Sequence, residues 1–131
     1  MSITHVVIDT NVLVSALWSQ NGTPAKIAHM IPDGKIVPCY SNEIMEEYRE
    51  VLSRDKFSFP QGQINALFDN IKKYGQIFAP EPSTAPMTDE DDRIFYDTAI
   101  TSKAILITGN KKHFPPEPFI MEPAEFVTKF G

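Results

Sequence analysis

A chain of 131 residues with 42% hydrophobic and 11% aromatic content can bury one core, and it carries too many aliphatic and aromatic side chains to stay disordered. Its 17 acidic and 12 basic residues leave a net charge of −5, which argues against holding nucleic acid by a broad cationic surface unless divalent cations supply the charge locally. The single cysteine, Cys39, excludes an internal disulfide and a multi-cysteine zinc site, and the short apolar runs exclude a membrane-spanning helix. With no basic-plus-apolar leader, the expectation is one cytoplasmic domain over residues 1–131.

In chain order, His5-Val6-Val7-Ile8 is a short, β-branched run stopped by Asp9-Thr10-Asn11, which predicts a buried strand. Val12 to Trp18 has helical spacing, and Asn21-Gly22-Thr23-Pro24 breaks it. Pro24 suits a first helical position, so a second helix is expected to Ile31. After the Pro32-Asp33-Gly34 turn, Lys35 to Tyr40 reads as a strand, and Ser41 as the N-cap of a helix running to about Ser53. Gln63 to Tyr74 is a helix with Ile64, Leu67, Phe68 and Ile71 on one face. Gln76 to Ala79 is a short strand, and the proline-bearing stretch from Pro80 to Met87 an extended connection. Asp89 to Ser102 is helical, Ala104 to Thr108 a strand, and Gly109-Asn110 a loop opening into a helical turn. Phe119 to Met121 is a last strand and Pro123 to Phe130 a closing helix. This alternation predicts an α/β sandwich with a mostly parallel sheet.

Ligands of such sheets bind beyond the carboxyl ends of the strands. Asp9 stands at one such end, where a carboxylate needs a partner, a cation or a helix to cap. Asn11 suits either a cap or a ligand-positioning role. The Ser41 helix carries four glutamates. At about 100° per residue, Glu43, Glu46 and Glu50 point roughly 140–160° away from the apolar face of Ile44, Met45, Tyr48, Val51 and Leu52. Glu47 lies about 100° away, at the core boundary, so it is the glutamate best placed to enter a cleft. In the run Asp89-Glu90-Asp91-Asp92, Asp89 reads as a cap, while Asp92 shares a face with Phe95, Tyr96 and Ala99. Asn110 follows a strand end and can reach the same cleft. Lys111 and Lys112 read as solvated, and His113 as structural.

Asp9-Thr10-Asn11-Val12, Ser41 with Glu46-Glu47-Tyr48, Asp92 with Ala99, and Thr108-Gly109-Asn110 together resemble the PIN-domain family, most nearly its VapC-like branch of toxin–antitoxin components. The resemblance runs from Val6 to about Ile120. It implies a three-layer α/β/α sandwich and endonucleolytic cleavage of RNA with Mg²⁺ or Mn²⁺. It further implies metal ligation by Asp9, Glu47 and Asp92, with Asn110 at a fourth position that is often Asp. An amide there adds no negative charge, and Asp97, off the face of Asp92, is the one nearby acid that could compensate. Thr10, Asn11 and Thr108 are candidates for orienting the ligands. The implied partners are an RNA substrate, a cognate antitoxin protein and a second copy of the chain. For the homodimer, the apolar surplus of Val12, Leu13, Leu17 and Trp18 is a mild indication. The alternative is a PIN-like binding module with residual nuclease activity, which the acidity and Asn110 favour.

Overall fold

The computed structural model describes residues 3–131. Five strands form one parallel sheet: β1 (Thr4–Ile8), β2 (Ile36–Tyr40), β3 (Gln76–Ile77), β4 (Ile105–Ile107) and β5 (Ile120–Met121). Their order is β3-β2-β1-β4-β5. Six helices connect and cover them: α1 (Thr10–Trp18), α2 (Thr23–Met30), α3 (Asn42–Leu52), α4 (Gln61–Tyr74), α5 (Arg93–Ser102) and α6 (Pro123–Phe130). The α/β sandwich expected from the alternation is the observed fold.

The central strand explains why both sheet faces must be covered. Val6, Val7 and Ile8 are all fully buried although successive side chains of a strand point to opposite faces. Helix α5 packs against β1, β2 and β4, whereas α1 packs on α2 and α2 on α6. Buried Phe95, Ala99, Ile27, Ile31 and Phe126 bring these helices into the core.

Chain direction places the site. From β1 the chain steps outward to β2 and β3, then returns through α5 to β4 on the other side of β1. The order therefore reverses between β1 and β4, and the carboxyl ends of these neighbours diverge into a crevice. Their register pairs Ile8 with Ile107, which puts Asp9 opposite Thr108.

Several boundaries differ from the sequence reading. Helix α1 starts at Thr10, directly after Asp9, and α4 starts at Gln61. The acidic run forms a 3₁₀ turn, Glu90–Asp92, before α5 begins at Arg93. Val12 and Leu13 are buried inside the fold and so cannot be part of an external apolar face. Trp18 is 65% exposed and meets Phe57 and Phe59 edge-on. Among the described residues no helix is long and apolar enough to cross a membrane.

Candidate active site

The end of β1 is where the chemistry gathers. Asp9 is buried and occupies the cap position of α1, yet its side chain makes no capping bond. Its Oδ2 instead accepts the Thr108 hydroxyl at 2.8 Å and the Asn11 amide at 3.3 Å. The two strands are also tied by the Asp9 N–H donating to Ile107 O at 2.9 Å. Asn11 uses its other atom, Oδ1, to accept the Gly109 N–H at 3.1 Å, and Thr108 Oγ1 accepts the Asn110 N–H at 3.0 Å. One carboxylate, one hydroxyl and one amide thus lock the loop after β4 onto the start of α1. A Cβ on Gly109 would stand 3.3 Å from Asn11 Oδ1, so a side chain there would press on this lock.

Glu47 arrives from α3. Ser41 caps this helix by accepting the Ile44 N–H at 3.2 Å, which fixes its start at the end of β2. Tyr48, fully buried, donates its hydroxyl to Ile8 O and so pins the middle of α3 to the end of β1. Glu47 is then half-buried and accepts the Thr10 hydroxyl, while Glu43, Glu46 and Glu50 are exposed. The helical-wheel choice among the four glutamates matches their observed burial.

Asp92 lies where the 3₁₀ turn meets α5, with its side chain 19% exposed. Asp89 does the capping, accepting the Asp91 N–H at 3.0 Å. His113, on a 3₁₀ turn after β4, places Nδ1 3.9 Å from Asp92 Oδ2. The sequence pattern reads this histidine as structural, and the structure puts it beside Asp92. The signal available was its spacing from a strand end, which alone does not distinguish a loop histidine from a site one. Asn110 exposes its side chain beside a cleft of about 240 Å³ lined by Asn11, Ser15, Gly109 and Pro123.

Asp97 does not join this group. It is buried one turn further along α5, where Oδ2 accepts the Ser83 N–H at 3.1 Å. Arg93 donates to Ser83 O at 2.9 Å and Ser83 Oγ at 3.1 Å. These contacts fasten the extended connection that precedes α5, and Asp97 therefore does not stand in for the charge missing at Asn110.

Electrostatics mark the acids as a cluster. Burial raises the Asp9 carboxyl above its usual range, against the opposing effects of the Thr108 hydroxyl, the Thr10 backbone N–H and the Asn11 amide. Glu47 is raised by burial and then by the negative charges of Asp9, Asp91 and Glu50, while the Thr10 bond lowers it. Asp92 is pushed up to about 6, first by burial and then by Asp9, Asp89 and Glu47, with His113 opposing. Carboxylates that hinder each other's ionisation are a donor set whose chemistry fits a hard divalent cation. As the side chains stand, no three His, Cys, Asp or Glu groups among the described residues close on one ion. The fit lies in charge and donor type.

Fold and site define an α/β protein that gathers carboxylates at the switch point of a parallel sheet. The chain belongs to the PIN domain family, whose model matches residues 5–112. It is 38% identical over 109 residues to the uncharacterized protein MJ1680 of Methanocaldococcus jannaschii, covering 81% of this chain and 70% of that protein. Its fold is similar to a chain in the crystal structure of VapBC2 from Rickettsia felis bound to a DNA fragment from their promoter. That match has a TM-score of 0.57 and 16% identity, and it covers 91% of this chain and 98% of the other.

Proposed function

We propose that this chain is a divalent-metal-dependent endoribonuclease, active with Mg²⁺ or Mn²⁺, in which Asp9, Glu47 and Asp92 hold the metal. The observation that carries the reading is the convergence at the β1–β4 switch point, where Asp92 feels the charge of both Asp9 and Glu47. A bound divalent cation supplies Lewis acidity and offsets the negative charge of the phosphodiester. The protein's part is positioning. Thr108 and Asn11 hold Asp9 in one orientation, and Thr10 does the same for Glu47. Asn110 is exposed at a cleft beside Asn11 and Gly109 that none of the three acids lines, and from its place just after β4 we assign its amide the orienting of substrate or water without added charge.

The family and the fold's likeness to VapBC2 support a role as the toxin of a toxin–antitoxin pair. On this reading the chain is a cytoplasmic, single-domain protein that acts on RNA, pairs with a cognate antitoxin and forms a homodimer. The test is cleavage of single-stranded RNA with Mn²⁺ or Mg²⁺ by wild type, Asp9→Asn and Asp92→Asn. Activity is expected in the wild type and lost in both variants. Normal cleavage by Asp9→Asn would overturn the site assignment.

A second reading is favoured by Asn110 and the −5 net charge: a binding module with residual nuclease activity that works through a protein partner. The same assay separates the two, because the module reading expects little or no cleavage by the wild type with any divalent metal.

A further inference from the structure

We propose that the imidazole of His113 is a further ligand of the divalent cation, binding beside Asp92. This rests on the metal-dependent reading of the same site. Three observations carry it. The first is distance. At 3.9 Å, His113 Nδ1 and Asp92 Oδ2 are too far apart for a hydrogen bond. Adjacent donors on one octahedral ion, each at about 2.1 Å, stand about 3 Å apart, so a shift of about 1 Å brings the pair onto one ion. The second is placement. His113 N donates to Asn110 O at 2.9 Å, and the next residue, Phe114, is buried, so the turn carrying the imidazole is anchored at the end of β4. The third is access. The His113 side chain is 49% exposed and that of Asp92 19%, so an ion can reach the space between them from solvent.

Asn110, the residue after the strand-end Thr108-Gly109 pair, brings no charge to this side of the site, and Lys111 is paired with Glu125 at 3.2 Å. His113 is therefore the metal-competent side chain that the turn Lys111–His113 contributes beside Asp92. An imidazole nitrogen among carboxylate oxygens shifts preference from Mg²⁺, which favours all-oxygen shells, toward Mn²⁺ and the later first-row ions.

Pulsed electron paramagnetic resonance of the EDTA-stripped, Mn²⁺-loaded full chain reads nitrogen ligation without using activity. The expected result is a ¹⁴N coupling in the wild type that disappears in His113→Ala. The other histidines, His5 on β1 and His29 on α2, provide the background that this variant retains. Mn²⁺ affinity should fall about tenfold in His113→Ala, with a smaller loss for Mg²⁺. Bound Mn²⁺ that depends on Asp92 but shows no ¹⁴N coupling overturns the His113 assignment and leaves the carboxylate site standing. A coupling that survives His113→Ala also overturns it. Absence of any Asp92-dependent Mn²⁺ binding overturns both this inference and the metal-dependent reading.

Discussion

Thr108 donates its hydroxyl to Asp9 at 2.8 Å, joining residues 99 positions apart in the sequence. Both side chains are buried, and both stand at the carboxyl ends of neighbouring strands. The bond closes a loop of contacts that also includes Asn11, Gly109 and Asn110.

Thr108→Val keeps the shape but removes this donor and strands the Asn110 N–H. Loss of a buried bond to a charged group predicts a destabilisation of about 1–3 kcal/mol by urea unfolding. RNA cleavage should fall with it, whereas Thr108→Ser should retain most of both. Equal stability of Thr108→Val and wild type would mean that the lock contributes nothing.

Stability of the metal-free protein should decline as pH rises. The Asp92 carboxyl goes from 3.8 to about 6 in the folded chain, by burial first and then by Asp9, Asp89 and Glu47 against His113. Between those values the folded state keeps a proton that the unfolded state has released. The stabilisation is complete below the lower value and is lost as pH rises through the upper one. Raised Asp9 and Glu47 act in the same direction. Melting temperatures in EDTA from pH 4 to 7 should therefore fall more steeply for wild type than for Asp92→Asn. Parallel curves would rule out the crowding of these acids.

Tyr48→Phe removes the hydroxyl that joins α3 to Ile8 O. The ring stays in the core, so a loss of about 1 kcal/mol is expected from the missing bond. Because Glu47 rides on the same turn, cleavage should drop more than stability at 25 °C accounts for. Unchanged cleavage would show that Glu47 is positioned without Tyr48.

Asp97→Ala takes away the acceptor of the Ser83 N–H and leaves a small void beside Arg93. Limited proteolysis should then open the connection between residues 80 and 87, with a loss of about 1–3 kcal/mol. Metal affinity should stay near wild type, since Asp97 is bonded to Ser83 and is not among the charges that act on Asp9, Glu47 or Asp92. A large loss of metal affinity would return Asp97 to the site.

Gly75→Ala is expected to be among the more damaging single changes to the fold. Its Cβ would stand 2.3 Å from Ile71 O and 2.4 Å from Pro38 O, both backbone atoms that cannot swing away. Relief requires moving the end of α4 from β2, which predicts a loss of about 1–3 kcal/mol or more in urea unfolding.

Much of the architecture was legible locally. Apolar runs of four or five residues and 3.6-residue spacing are written in short windows, so the strands and helices could be placed within a few residues. The choice of Glu47 from four glutamates was legible for the same reason: one helix has one apolar face, and the wheel fixes each side chain's angle to it. Asp89 could likewise be separated from Asp92 by position in a first turn.

What the tertiary structure alone decided involves partners distant in sequence. Asp9 sits at a helix cap by sequence, yet its carboxylate turns to Thr108, because strand order 3-2-1-4-5 makes β4 the neighbour of β1. The surroundings of His113 and Asp97 were decided on the same ground. Helix α5 turns Asp97 toward the Ser83 connection, and the turn after β4 brings His113 to Asp92. Burial and charge at a carboxylate depend on which strands are adjacent, and strand order is a long-range choice that no window of sequence contains.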